Sequence, residues 1–276
     1  MAAGPPFFFE TESGNITVHC DVEGAVAVLA VRGTWGRPLW RETSIALRKC
    51  LAQHPDALIV DLSELDDVAA QSAPTWVTAL GTAAAMHPPV RMALCVSPEL
   101  VLADRLQRMG ARRFLPVYAK VRQARVAVES RLPLTDRLPL SLGAEPESPG
   151  LARDLVGSAC HAWGLPNLLY PARLVVSELV TNAVEHAGAD ITVVVSRRGT
   201  GLHLAVADGD PRLPRLRTPA APQPGQPLDE SGRGLRIVHA TATVWGAMPT
   251  ADGKVVWATI RPGSADPDHP TRFGRP

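Results

Sequence analysis

Three short segments carry residue types that can do chemistry on a phosphorylated ligand. In residues 177–188 (SELVTNAVEHAG), Glu178 and Asn182 stand four apart and share one helix face, with Glu185 near the same stripe. Val176, Val180, Val184 and Ala187 fall on the other side and can bury against a sheet. A carboxylate and a carboxamide side by side suit a hydrated Mg²⁺ bound to phosphates, because Mg²⁺ takes oxygen ligands and keeps several waters. In AVADGDPRLP, an apolar strand runs into Asp208, Gly209 and Asp210. A carboxylate at such a strand end can accept a hydrogen bond from an adenine amino group. In SGRGLRIVHA, Gly232 and Gly234 flank Arg233 before a helix. Glycine there lets backbone N–H groups approach phosphate oxygens. Each segment alone has a plain alternative: a wet helix face, an Asp-Gly turn, a helix entry.

The elements that must position these groups follow from periodicity and breakers. Helices are predicted over 149–162 and 170–187, strands over 190–197 and 202–207, a short helix over 235–241, and strands over 243–247 and 254–260. The earlier half alternates strands (26–31, 57–62, 90–96, 114–118) with helices (41–53, 75–86, 98–109, 120–130), which predicts a helix-covered sheet. The Pro- and Leu-rich stretch 131–148 breaks this rhythm and reads as a linker, with an edge strand near 137–142 as the alternative. The division is therefore 13–130, the linker 131–148, 149–262, and a polar, Pro-rich tail over 263–276 that reads as disordered.

Composition narrows the partners. A net charge of +1 gives no electrostatic case for direct nucleic-acid or membrane binding. No stretch approaches the ~20 apolar residues of a membrane span, and the N-terminus lacks a leader pattern, so a cytoplasmic protein is expected. Cys20, Cys50, Cys95 and Cys160 are scattered in apolar contexts without metal-ligand spacing and read as buried thiols.

Taken together and in this order, the three segments resemble the N, G1 and G2 boxes of the ATPase fold shared by gyrase, histidine kinases and mismatch-repair ATPases (the GHKL superfamily). They are most similar to the anti-sigma-factor branch of serine kinases, with its SELVTNAVxHA helix, V-x-D-x-x-P strand end and GRGLxIV turn. The resemblance covers about 145–262 and implies a Bergerat-type α/β sandwich that binds ATP and Mg²⁺. It implies Glu178 as general base, Asn182 as Mg²⁺ ligand and Asp208, beside Gly209, as adenine contact backed by the Thr259 hydroxyl. Gly232, Arg233, Gly234 and Leu235 would line the phosphates, 211–231 would be a lid, and Arg153 a further phosphate contact. His186 is expected in the core or behind the site. After Gly209 the chain has Asp-Pro-Arg-Leu-Pro instead of the superfamily's second glycine, a pattern of the anti-sigma branch. No phospho-acceptor helix pair precedes Glu178, which disfavours a sensor histidine kinase.

The strand IVDLSELDDV and the helix after it resemble the STAS domain of anti-sigma-factor antagonists, at the level of fold, over about 15–128. The family's acceptor serine falls at Gln71 here, with Ser72 or Thr75 as substitutes and a pseudo-substrate or docking role as the main expectation. The whole therefore reads as a mixed α/β protein, a STAS-like regulatory unit fused to an anti-sigma-type serine/threonine kinase. Its partners would be a STAS antagonist or a sigma factor in a partner-switching pathway of transcription control. The non-enzymatic alternative is a nucleotide-gated module that sequesters such a partner; a third is an ATPase without protein substrate. The resemblance also implies a homodimer, although no interface is legible in the chain.

Overall fold

The computed structural model describes residues 6–9, 14–22, 25–109, 116–130, 136–187, 190–216 and 233–262. Two sheets organise them. The first has β2 (Ile16–Asp21), β3 (Val26–Val31), β5 (Ala57–Asp61), β7 (Arg91–Cys95) and β8 (Val117–Tyr118), in that spatial order. The β2–β3 pair is antiparallel and the rest are parallel. Parallel neighbours need crossovers, which are α1 (Arg37–Gln53), α2 (Ala73–Ala84) and α3 (Val101–Arg108); α4 (Val121–Glu129) follows. Strand alternation sorts the faces: Leu29, Leu58, Val60 and Leu94 pack with α1 and α2, whereas Val26, Ile59 and Cys95 pack with Ala124 and Val128 of α4. Two short strands, β4 (Gly33–Thr34) and β6 (Leu65–Asp66), pair beside this sheet.

The second sheet runs β1 (Phe7–Phe8), β12 (Val244–Pro249), β13 (Lys254–Ile260), β11 (Gly201–Asp208), β10 (Ile191–Arg198), β9 (Arg137–Leu142). It is antiparallel except where β1 joins β12 in parallel. One face carries α5 (Ser148–Ala162), α6 (Leu169–Ala187) and α7 (Arg233–Thr241) over Val193, Leu204, Val206 and Ala258. The other face gives Val194, Ala205, Met248, Val255 and Trp257 to the core of the N-terminal unit. Burial on both faces explains why KVVWATI is buried at every position and shows no polar alternation.

Within 131–148 the edge-strand alternative holds: β9 occupies 137–142, pairs with β10 from Ile191↔Leu142 to Ser196↔Arg137 and belongs to the second sheet. Strands β1 and β2 were not foreseen. The former is two residues long and takes its register from residues more than two hundred positions away.

The halves also share a buried ion cluster. Asp56 of the first unit lies 3.0 Å from Arg198 and 3.5 Å from Arg137 of the second, and Arg198 Nη2 donates to the His54 carbonyl at 3.1 Å. Burial lowers the pKa of Arg198 despite the Asp56 charge, and its Nε and Nη1 have no hydrogen-bond partner among the described residues. Burial also lowers the pKa of His54 and, more strongly, of His203. All four cysteines are free and buried, and burial pushes the Cys20 and Cys95 thiols up to about 12. No described helix is long and apolar enough to cross a membrane.

Candidate functional site

Helix α6 is held by its apolar side: Val176, Leu179, Val180 and Ala183 are buried against the sheet and α5. That leaves Glu178 and Asn182 half-buried on a second face, towards the start of α7. The contact is tight. A Cβ on Gly234 would lie 2.7 Å from Glu178 Oε2 and 3.5 and 3.6 Å from the two terminal atoms of the Asn182 carboxamide. Glycine leaves the Glu178 carboxylate room to lie directly against the start of α7. The first N–H groups of α7 have no intrahelical acceptor, so a carboxylate, a carboxamide and the donor end of a helix meet at one point. Asn182 Nδ2 is buried and has no partner among the described residues. An orphaned buried amide costs about 1–3 kcal/mol, and a ligand with oxygen atoms would relieve it.

The strand end of β11 carries the other group expected at the site. Alternation puts Leu202, Leu204, Val206 and then Asp208 on the face that bears the helices. The Asp208 carboxylate is buried, and its Oδ1 accepts from Lys254 Nζ at 2.8 Å and from the Asp210 N–H at 2.9 Å. Lys254 also donates to the Asp210 carbonyl at 3.0 Å and lies 3.5 Å from Asp210 Oδ2. Arg212, hydrogen-bonded to Asp210, holds that carboxyl down at about 2, so it is ionised at neutral pH. Gly253 supports the same corner. A Cβ there would stand 2.0 Å from the Asp208 carbonyl oxygen and 2.8 Å from Gly209 backbone atoms.

Several sequence expectations meet a different geometry. Thr259 does not back Asp208. It pairs across from His203, to whose Nδ1 its hydroxyl is hydrogen-bonded at 3.0 Å, and it faces the N-terminal unit. Asp208 is paired with Lys254, five positions earlier, roughly 17 Å along the strand at about 3.3 Å per residue. An odd offset also reverses the face, so the buried partner of Asp208 is a lysine ammonium. The Leu235 side chain packs into the core, which leaves only its backbone to face a ligand. Arg233 and Gly209 are exposed. Gly232 and positions 217–231 of the expected lid lie outside the described residues, as does the tail 263–276; Leu213 and Leu216 pack against the C-terminal core. Arg153 donates to Ser177 Oγ at 3.1 Å, beside Glu178 in the chain. His186 is exposed rather than in the core.

Sequence reasoning missed Lys254 and Gly253. One signal was available: Lys254 is one of three lysines in an arginine-rich chain, and it opens the strand that must pair with the one ending at Asp208. A groove of about 700 Å³ is lined by Asp21, Arg125, Thr192 and Ala207 and also by Asp208 and Gly209, so it reaches the β11 end. Glu178, Asn182 and Gly234 do not line it, so the groove touches the Asp208 end of the candidate site and not the α6–α7 corner.

In the N-terminal unit, the Asp67 carboxylate accepts the N–H groups of Gln71 and Ser72, each at 2.8 Å, and so holds the turn that leads into α2. Gln71 is exposed. Ser72 is fully buried, and its Oγ accepts the Trp76 indole N–H at 2.9 Å, which removes it as a ready phosphate acceptor.

Residues 142–260 match the histidine kinase-like ATPase domain. The uncharacterized protein SCO4941 of Streptomyces coelicolor is 34% identical over 84 residues, covering 29% of this chain and 75% of that protein. The chain belongs to the histidine kinase-like ATPase family, a family built to bind ATP, through its C-terminal half. Among solved structures, it is similar to an anti-sigma factor antagonist from Mycobacterium paratuberculosis, with a TM-score of 0.36, 17% identity and coverage of 43% of this chain and 98% of that one. It is also similar to the RsbU and RsbW domains of Rv1364c from Mycobacterium tuberculosis, with a TM-score of 0.34 and 21% identity, over 45% of this chain and 32% of that one. Neither likeness carries the assignment, which rests on the family match and on the geometry above.

Proposed function

We propose that the protein is an ATP-dependent serine/threonine kinase of the anti-sigma-factor type, acting on a STAS antagonist, a sigma factor or both in a partner-switching pathway. The observation that carries this reading is the convergence of Glu178, Asn182 and Gly234, with Asn182 Nδ2 buried and without a partner among the described residues. A magnesium–nucleotide complex suits that corner. Asn182, with its carboxamide oxygen turned inward, would hold the metal, whose bound form neutralises phosphate charge. Glu178 orders the attacking hydroxyl and takes its proton. Backbone N–H groups at the start of α7 receive the phosphate oxygens, and Asp208 receives the purine amino group.

Transfer is in trans. The chain's own acceptor position is Gln71, and Ser72 is shut into the core by Trp76. The N-terminal unit instead covers the helix-free face of the nucleotide-binding sheet and acts as a fixed regulatory half. Incubation with γ-labelled ATP and a STAS antagonist tests the reading: label on an antagonist serine, lost in Glu178→Ala, is the expected result. Nucleotide binding without transfer would make the protein a nucleotide-gated sequestering module instead.

A further inference from the structure

The ion pair between Lys254 and Asp208 has chemistry that the proposed reaction does not itself use. Lysine carries three N–H donors and no acceptor. The Lys254 ammonium is buried, with Asp208 Oδ1 at 2.8 Å, the Asp210 carbonyl at 3.0 Å and Asp210 Oδ2 at 3.5 Å. Its donors are committed to the β11 corner. Asp208 Oδ1 is equally committed, receiving both Lys254 and the Asp210 N–H. Among the described residues, every hydrogen bond to this carboxylate falls on Oδ1. Oδ2 is the oxygen left to read a ligand.

We propose that Lys254 is the positioning residue that sets purine selectivity: it locks Asp208 so that one carboxylate oxygen, with no accompanying free donor, faces the base. The proposal rests on Asp208 as the base contact. A lone acceptor favours a 6-amino purine, whose exocyclic N–H donates, and rejects a 6-oxo purine, which presents an acceptor there. A free ammonium beside the carboxylate would do the reverse and satisfy the oxo group. Two restraints keep Lys254 in place. Gly253, against Asp208 and Gly209 backbone, fixes where the strand begins, and the register Asp208↔Lys254 sets the reach of the side chain.

The test is calorimetric binding of ATP, inosine triphosphate and purine riboside triphosphate to the full chain, as wild type, Lys254→Met and Lys254→Gln. Wild type is expected to prefer ATP over inosine triphosphate by about a hundredfold or more, in line with sites built around one buried polar contact. Lys254→Met frees Oδ1 and lets the carboxylate rotate, so the preference is expected to shrink roughly tenfold. Lys254→Gln, which keeps an N–H for Oδ1, is expected to restore much of it. A purely structural lysine would change melting temperature and leave the ratio unmoved.

The outcomes separate. Equal wild-type affinity for ATP and inosine triphosphate overturns the selectivity proposal without any variant. So does an unchanged ratio in Lys254→Met. No binding of any adenine nucleotide by wild type overturns the assignment of the site itself.

Discussion

Gly234→Ala probes the site with one carbon atom. The new methyl would sit 2.7 Å from Glu178 Oε2, about 0.7 Å inside ordinary van der Waals contact, which begins near 3.4 Å. It would meet the Asn182 carboxamide at 3.5 and 3.6 Å, which is ordinary contact. The clash therefore falls on the free end of a glutamate and not on a rigid core, so the ~1–3 kcal/mol of true overpacking is not expected. Alanine also recovers up to ~0.5–1 kcal/mol of helix propensity over glycine. Net stability should change by about 1 kcal/mol or less. Turnover should not be spared, because a displacement near 1 Å of a reacting group costs about a hundredfold. A shift of about 0.7 Å then predicts a ten- to hundredfold loss of turnover, roughly 1.4–2.7 kcal/mol of barrier, with a much smaller change in affinity for the magnesium nucleotide. Urea melts, calorimetric ATP binding and single-turnover phosphotransfer measure the three quantities. Unchanged turnover, or a loss of stability above about 3 kcal/mol, would refute the assigned geometry.

Other perturbations separate structure from chemistry. Asn182→Ala removes a buried Nδ2 that has no partner among the described residues, so stability is expected to hold or rise by up to about 1–3 kcal/mol while metal-dependent ATP binding is lost; thermal melts with and without Mg²⁺–ATP check this. Asp56→Ala strands the buried Arg198 charge and is expected to cost about 3–5 kcal/mol in denaturant unfolding, with Asp56→Leu/Arg198→Met recovering most of it. His203 is held neutral by burial, with a folded-state pKa below its unfolded value of about 6.5, so the unfolded chain binds more protons in acid. Its stability contribution is intact above about pH 6.5 and lost as pH falls below it. Unfolding midpoints at pH 7.5 and 5.5 should show the fall, and His203→Leu should reduce it, leaving the share of His54.

Much of the C-terminal half was legible because its signals are local. The spacing of Glu178 and Asn182 fixes a shared helix face whatever the helix packs on, and the apolar runs at 190–197 and 202–207 bound their strands to within a residue or so. What escaped was non-local. Phe7 and Phe8 carry no strand period in two residues; their pairing depends on the far edge of another sheet. The β9 segment was legible only as one of two alternatives, because Pro139 suits an edge strand and a linker alike and the pairing with β10 decides between them. The family resemblance implies Thr259 behind Asp208, while register and strand parity decide the neighbour of Asp208, and both place Lys254 there. The docking of the N-terminal unit on the back of the sheet left only a faint trace, the unbroken apolar character of β13.

The most direct measurement is a titration of the full chain with ATP, with and without Mg²⁺, in wild type and Asn182→Ala. Saturable binding that Mg²⁺ strengthens in wild type but not in the variant is the predicted result. No ATP binding, or binding indifferent to both the metal and residue 182, would contradict the claim that these three helix- and strand-end segments form one nucleotide site.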